Sequence, residues 1–366
     1  MKKYSMLIAI SLTIIGLVMF FYILYIGAGI IIPFIIAVLL SFAILSLSWF
    51  FQKKWLPKVF SFFLSLFTYF IIFWLISWII NSNIQQIMAL APEYQTKLQN
   101  IVSSLETTFN IDKWVLYERV FAWVDIPSIL TNTVSGVTSI FKNTGIIFFF
   151  VIFILLESRF FFNKLDIALG REKTRVMWII RQIGTDIKYY FVIKTWVSLV
   201  VWAVSYIILL AFGVDFALFW AFLIFLLNYI PNIGSIIAVC FPVLFSMVQF
   251  GEWTYYITLW LLACLTTVQV LMWNYVEPQF MGNKLNLSPL VILISLLFWG
   301  TIWGIPGMLL SVPLMVIINI VLAHIKMTQP LAVVLSEKWD INFVDAIWKK
   351  KKGKKMVSNI KKKLKM

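Results

Sequence analysis

The chain has 366 residues, 62% of them hydrophobic and only 12% charged, with 34 Phe and 17 Trp, and a mean hydropathy of +0.96. Soluble domains carry about 25% charged residues. This much apolar surface needs the bilayer as solvent, which excludes a soluble enzyme, a secreted disulfide scaffold and a disordered chain. The net charge is +15, but residues 349–366 hold ten lysines and no acid, so the basicity is largely local.

Apolar runs of bilayer length follow one another from the start. Residues 6–25 form a first span without a small-residue cleavage site, so it reads as an uncleaved helix rather than a signal peptide. Residues 29–47 form a second span. Lys53, Lys54 and Lys58 occupy the short loop before a third, residues 60–80. Positive residues collect on the cytoplasmic side, which predicts a cytoplasmic N-terminus and an external end to span three.

Residues 81–144 differ: Glu93, Glu106, Asp112, Glu118 and Asp125 slightly outnumber Lys97, Lys113, Arg119 and Lys142. Leu98, Ile101, Val102, Leu105 and Phe109 recur at helical spacing, as do Val134, Val137, Ile140 and Phe141. A small extracytoplasmic insert of amphipathic helices is expected. Residues 145–162 return as span four. The basic stretch that follows carries a stripe of Val176, Ile179, Ile180, Ile183, Ile187 and Phe191, which predicts a helix lying in the headgroup plane over residues 170–194. Span five is expected at 195–212.

The second half contains two apolar stretches, 216–250 and 289–324, separated by an ordinary span at 254–275. Each is interrupted near its middle, the first by Asn228-Tyr229-Ile230-Pro231-Asn232-Ile233-Gly234-Ser235 and the second by the Gly- and Pro-containing segment 300–308. A bilayer core takes about 20 residues of straight helix, so each stretch is a hairpin or a broken helix, either fully spanning or re-entrant. The shared Ile-Pro at Pro231 and Pro306 reads equally as a weak internal repeat or as coincidence. The lysine tail suits contact with anionic lipid and a cytoplasmic C-terminus rather than nucleic acid.

The usual signatures of other membrane chemistries are missing. There is no Walker A loop, no H-E-x-x-H, and no G-x-S-x-G with a partner histidine; arginine-repeat voltage sensors and a TVGYG filter are also absent. His324 is the single histidine, and Cys240 and Cys264 read as apolar filler. Neither enzyme activity, a cofactor nor a metal is expected. Broken helices expose backbone groups inside an apolar wall, which makes polar ligand sites; buried hairpin turns without a ligand are the plainer alternative. On the first reading the break points Asn228, Pro231, Asn232, Gly234, Gly304, Pro306 and Gly307 line the substrate path. The candidates for ion coupling are Asp215, Gln269 and Glu277. Asp215 also reads as an interfacial N-cap, Glu157 as one half of an interfacial pair with Arg159, and Gln269 as a packing residue.

The segment 212–244, with Asn228-Tyr229-Ile230-Pro231 and Gly234, is similar to the "N-x-I-P-x-x-G … P" segment of the autoinducer-2 exporter (PerM-like permease) family. Residues 277–321 resemble that family's closing signature, carried by Pro278, Gly282, Gly300, Gly304, Gly307 and Pro313. The layout agrees along nearly the whole chain. The resemblance implies an ATP-independent secondary transporter of small solutes in the bacterial cell membrane, acting outward on molecules such as autoinducer-2. It also implies activities such as sodium or lithium exchange for protons, and a homo-oligomer, with a pentamer suspected. Two departures stand out: Val270-Leu271-Met272 lack the acid expected in that run, which bears on cation coupling, and Glu157 stands where an Asp is usual.

The expected protein is therefore an all-α polytopic membrane protein of about eight transmembrane segments, two of them broken or hairpin segments. Its predicted units are spans one to three (1–80), the insert (81–144), spans four and five (145–212), a transport core (213–325) and a cytoplasmic tail (326–366). Its predicted function is export of a small polar solute linked to the proton motive force. Sodium (lithium)/proton antiport and a non-transporting membrane scaffold are the alternatives.

Overall fold

The computed structural model describes residues 2–53, 56–109, 144–170, 173–251, 255–281, 286–325 and 327–337. Their regular elements are all helices: α1 (Lys2–Ile26), α2 (Ala28–Lys53), α3 (Lys58–Phe109), α4 (Thr144–Ala168), α5 (Lys173–Ala211), α6 (Ala217–Leu227) and α7 (Ile233–Phe250). Then come α8 (Tyr255–Leu271), a π-helical turn (Met272–Val276), α9 (Glu277–Met281), α10 (Pro289–His324) and α11 (Gln329–Leu335). A chain this apolar has little alternative, because in lipid each backbone N–H and C=O must find its partner within the segment.

Among the described residues, six helices are long and apolar enough to cross a bilayer: α2, Lys58–Trp78 of α3, Thr174–Ala211, α7, Tyr255–Met281 and α10; Ser11–Ile26, Thr144–Ser158 and α6 are shorter apolar helices. Phe60, Phe63, Phe67, Trp74 and Trp78 of α3 stand exposed, as a lipid-facing wall requires. This is an all-α polytopic membrane protein.

The course of the chain assigns every helix end to one of two sides. α1 leads through Gly27 into α2, and α3 folds back along α2 and carries the chain out past Trp78. The side that α3 reaches is called the insert side; the opposite one, where α10 and α11 end, is the tail side. α4 returns to the tail side and α5 crosses to the insert side, ending at Ala211. The main core lies between α5, α6, α7 and α8, around Val197, Val201, Leu209, Ala221, Leu261 and Leu265. α6 is its axis: Ala217 and every residue from Phe219 to Ile224 are buried.

Both interrupted stretches are re-entrant hairpins. α6 has 11 residues, about 16 Å, and cannot cross a core of about 30 Å. Its two ends are tied together on the insert side, where Gln249 at the end of α7 donates to Gly213 O (2.8 Å) and accepts from the Asp215 N–H (2.8 Å). α8 and α9 then carry the chain to the tail side, so the second hairpin enters from there. It turns at Gly304, whose φ of 63° and ψ of −142° break α10 in two. Ser295 Oγ donates to Ser311 O across the arms at 3.0 Å, a contact impossible in a straight helix. The ends meet at the tail side, where Ser288 N donates to Leu335 O (3.0 Å) and Asn319 Nδ2 to Asn286 O (3.5 Å). The two hairpins therefore enter from opposite sides of the membrane.

Two expectations about segments are corrected. α5 is one helix of 39 residues, with no boundary at 194/195 and no separate helix in the headgroup plane. Part of its apolar stripe packs inward: Ile187 is buried and Ile183 and Phe191 half-buried against Trp299, Trp303 and Leu310 of α10. Likewise α3 does not stop at residue 80 but continues for 52 residues in all, carrying Leu98, Ile101, Val102, Leu105 and Phe109. Val134, Val137, Ile140, Phe141 and the lysine tail lie outside the described residues.

Candidate functional site

Tip one, the turn between α6 and α7, is polar and hydrogen-bonded. Asn228, at 5% exposure, donates through Nδ2 to Ser198 Oγ of α5 at 2.9 Å. The hydroxyls of Tyr229 and Thr195 share a hydrogen bond of 2.7 Å. Pro231 ends the descending arm because its ring cannot continue a helix. Asn232 holds a φ of 60°, a left-handed value that Asn tolerates better than most residues. Gly234 is required by proximity: a Cβ there would overlap the Leu227 carbonyl oxygen.

Directly tailward on α5, Lys194 Nζ pairs with Glu277 Oε1 at 2.6 Å, with the two side chains only 6% and 14% exposed. The sequence explains why Glu277 points there. Thr258, Leu261, Leu265 and Gln269 are the buried stripe of α8, and at helical spacing the stripe continues through Met272 to Val276. The π turn at Met272–Val276 inserts one residue into that phase. Glu277 thereby replaces Val276 on the stripe, facing α5. Such a pair is costly to bury and costlier to break, since either partner alone is a naked charge in hydrocarbon.

Two further polar groups lie on the same elements. Gln269 is 6% exposed, and among the described residues neither its Nε2 nor its Oε1 has a hydrogen-bond partner. Tyr190, one turn before Lys194, is 3% exposed; its hydroxyl also has no partner among the described residues and lies within electrostatic reach of Glu277. Buried polar groups are normally paired. A phenol left open near the charge pair and an amide left open about two turns along the same stripe can both donate to and accept from a polar solute.

The remaining expected residues are not gathered here. Asp215 sits in an exposed turn on the insert side and accepts from Tyr94 Oη at 2.6 Å. Burial, then the Asp215 hydrogen bond and charge, push the Tyr94 hydroxyl well above its usual pKa. Asp215 is not an N-cap: Phe216 holds that position, at φ 57°, with no side-chain cap. Together with Gln249, Asp215 latches the long α3 onto the mouth of hairpin one. Glu157 pairs with Lys164 (2.7 Å) on an exposed face.

Gly304, Pro306 and Gly307 form tip two, which rests on other partners. Trp303 Nε1 donates to Leu24 O of α1 at 2.9 Å, and the rings of Trp299 and Trp303 lie 4.7 Å apart, tilted by 34°. The Gly304 conformation is open essentially to glycine alone. Pro306 starts the return arm, where a missing N–H costs little. A Cβ on Gly307 would overlap the Trp299 carbonyl oxygen.

Sequence reasoning missed Lys194 and Tyr190, having placed both on a surface helix. The signal was present: Lys194 lies 17 positions before Ala211, about 26 Å along a helix, and so within the thickness of the bilayer core.

Residues 14–327 match the sequence profile described as AI-2E family transporter, a span containing both hairpins, α5 and Glu277. The chain is 32% identical over 264 residues to the AI-2 transport protein TqsA of Escherichia coli, covering 70% of this chain and 75% of that protein. It is 33% identical over 254 residues to a Borreliella burgdorferi protein provisionally named for transport, covering 69% and 70%. A similarly named Haemophilus influenzae protein is 32% identical over 280 residues, covering 74% and 79%. With the profile running from α1 to beyond the end of the second hairpin, this chain belongs to the AI-2E family of transporters.

Proposed function

We propose that the chain exports a small polar solute such as autoinducer-2 across the bacterial cytoplasmic membrane, without ATP, drawing on the proton motive force through Glu277. Both termini face the cytoplasm in this reading, which makes the insert side external. The observation that carries it is the buried Lys194–Glu277 pair (2.6 Å) beneath a polar re-entrant tip and on one stripe with the unpartnered amide of Gln269. The name of TqsA supports the substrate class.

The chain's own residues suggest the cycle. Protonation of Glu277 removes one charge from the pair, so the attraction holding α9 against α5 falls. The solute, held by the pair and the Tyr190 hydroxyl while Glu277 is ionised and the site is open to the tail side, is released to the insert side when a proton from that side reaches Glu277. Gln269 and Asn228 supply donors and acceptors along the same path. Hairpin one opens the site to the insert side and hairpin two closes it from the tail side, as alternating access demands. Deprotonation of Glu277 toward the tail side then restores the pair for the next solute, so one proton moves inward for each solute moved outward.

The test is autoinducer-2 partitioning between cells and medium, in a host lacking its own exporters, with and without this protein and a protonophore. Protonophore-sensitive depletion of the intracellular pool is expected, and Glu277→Gln should reduce it when export is normalised to the folded protein present in the membrane. An unchanged pool, with protein present in the membrane, rejects autoinducer-2 as the substrate. Normal export by Glu277→Gln removes that residue from the mechanism.

A further inference from the structure

α2 and α5, with Tyr69 of α3, enclose a cavity of about 200 Å³. Its wall is largely apolar, built by Phe42, Ala43, Leu47 and Phe50 from α2 and by Phe191 and Val192 from α5. Along α2 it runs from Leu39 to Phe50, eleven positions or about 16 Å. That is the depth of one leaflet of a hydrocarbon core about 30 Å thick.

The tail-side end of this groove is cationic. Lys188 lines it and stands 6.0 Å from the Trp49 ring; Lys53, the last residue of α2, stands 5.7 Å from the same ring. Trp49 itself is 61% exposed, the amphipathic setting in which indoles mark the headgroup level of a membrane. Two ammonium groups and an indole therefore cap an apolar slot of one leaflet's depth.

We propose that this groove binds one anionic phospholipid of the tail-side leaflet. Lys53 and Lys188 take the phosphate as charge-assisted donors, Trp49 lies beside the glycerol region, and one acyl chain fills the slot between α2 and α5. Its size argues against a second copy of the chain, because a helix with its side chains is about 10–12 Å across. The bound lipid braces α5 against α2 where the helices already approach closely: a Cβ on Gly184 would lie 3.0 Å from Phe42. Lys188 and Lys194 lie on the same helix, so the lipid stiffens the element that carries the charge pair.

The experiment reconstitutes the full chain into vesicles of equal parts phosphatidylcholine and phosphatidylglycerol, re-extracts it, and counts retained lipids per protomer by native mass spectrometry. Phosphatidylglycerol should be retained on the order of tenfold over phosphatidylcholine. Replacing both Lys53 and Lys188 by Gln should abolish that preference, and Ala43→Phe, which fills the slot but keeps both lysines, should lower retention of either lipid. Monodisperse elution and an unchanged Tm show that each variant is folded. Wild-type retention in Ala43→Phe would overturn the seated chain, and an unchanged preference in the lysine variant would overturn the headgroup site. A lower oligomer mass in Ala43→Phe would assign the groove to a second copy instead.

Discussion

The two re-entrant hairpins share one construction and differ in what their tips are made of. In each, a glycine lies so close to a carbonyl of the opposite arm that no side chain fits, Gly234 against Leu227 and Gly307 against Trp299. Tip one then presents Asn228 and Tyr229 to the hydroxyls of Ser198 and Thr195 on α5, beside the Lys194–Glu277 pair. Tip two presents Trp299 and Trp303 to α1 and α2, with one indole hydrogen bond to Leu24. The same backbone solution thus serves two ends. Polar residues at one tip leave side-chain bonds that can be exchanged with a solute, whereas two packed indoles at the other form a wedge whose contacts are mainly apolar.

The comparison is broken most severely at the glycines. Gly234→Val and Gly307→Val should each cost about 3 kcal/mol or more, because the obstacle is backbone rather than a movable side chain. Both should lose folded yield on size-exclusion chromatography; a variant that folds normally would show that its arms are not so closely apposed. Next comes the charge pair. Lys194→Met alone leaves Glu277 a buried, unpaired acid and should cost about 3–5 kcal/mol at neutral pH. The double replacement Lys194→Met with Glu277→Leu should regain most of that in thermal unfolding while transport stays lost. Recovery of transport would remove the pair from function.

A subtler contrast compares the tips directly. Asn228→Ala and Trp303→Phe each delete one hydrogen bond, worth about 1 kcal/mol, so their Tm values should fall by similar amounts. Solute flux should drop several-fold in Asn228→Ala alone; equal losses of flux would make both tips working surfaces. The smallest effect is expected at the insert-side latch. Because burial and Asp215 raise the Tyr94 pKa, the folded state holds that proton more tightly than the unfolded chain, whose tyrosines titrate near about 10. Tyr94 therefore adds stability below pH 10 that is lost as the pH climbs above it. Tyr94→Phe should flatten that alkaline limb of the unfolding curve.

Much of the architecture was legible from residues alone, because lipid leaves the backbone few choices. Hydropathy located the membrane segments, and the Pro and Gly interruptions located both turns. Glu277 stood out as an acid before Pro278 at a helix end, near Asn274 and Gln279. Less visible was anything set by helical phase or helix continuity. Lys194 read as one of many interfacial bases until α5 proved to run unbroken through it, and Asp215 read as a cap until Phe216 took that place.

Composition and the spacing of apolar residues therefore determined the solvent, the helical class and the existence of two breaks, since these follow from local energetics summed along the chain. The tertiary structure decided which side each hairpin enters from, which of the expected residues meet, and that a π turn swings Glu277 rather than Val276 toward Lys194. Those outcomes depend on a rotation of one residue and on contacts between positions some eighty residues apart, as between Lys194 and Glu277. Neither leaves a trace in local sequence periodicity.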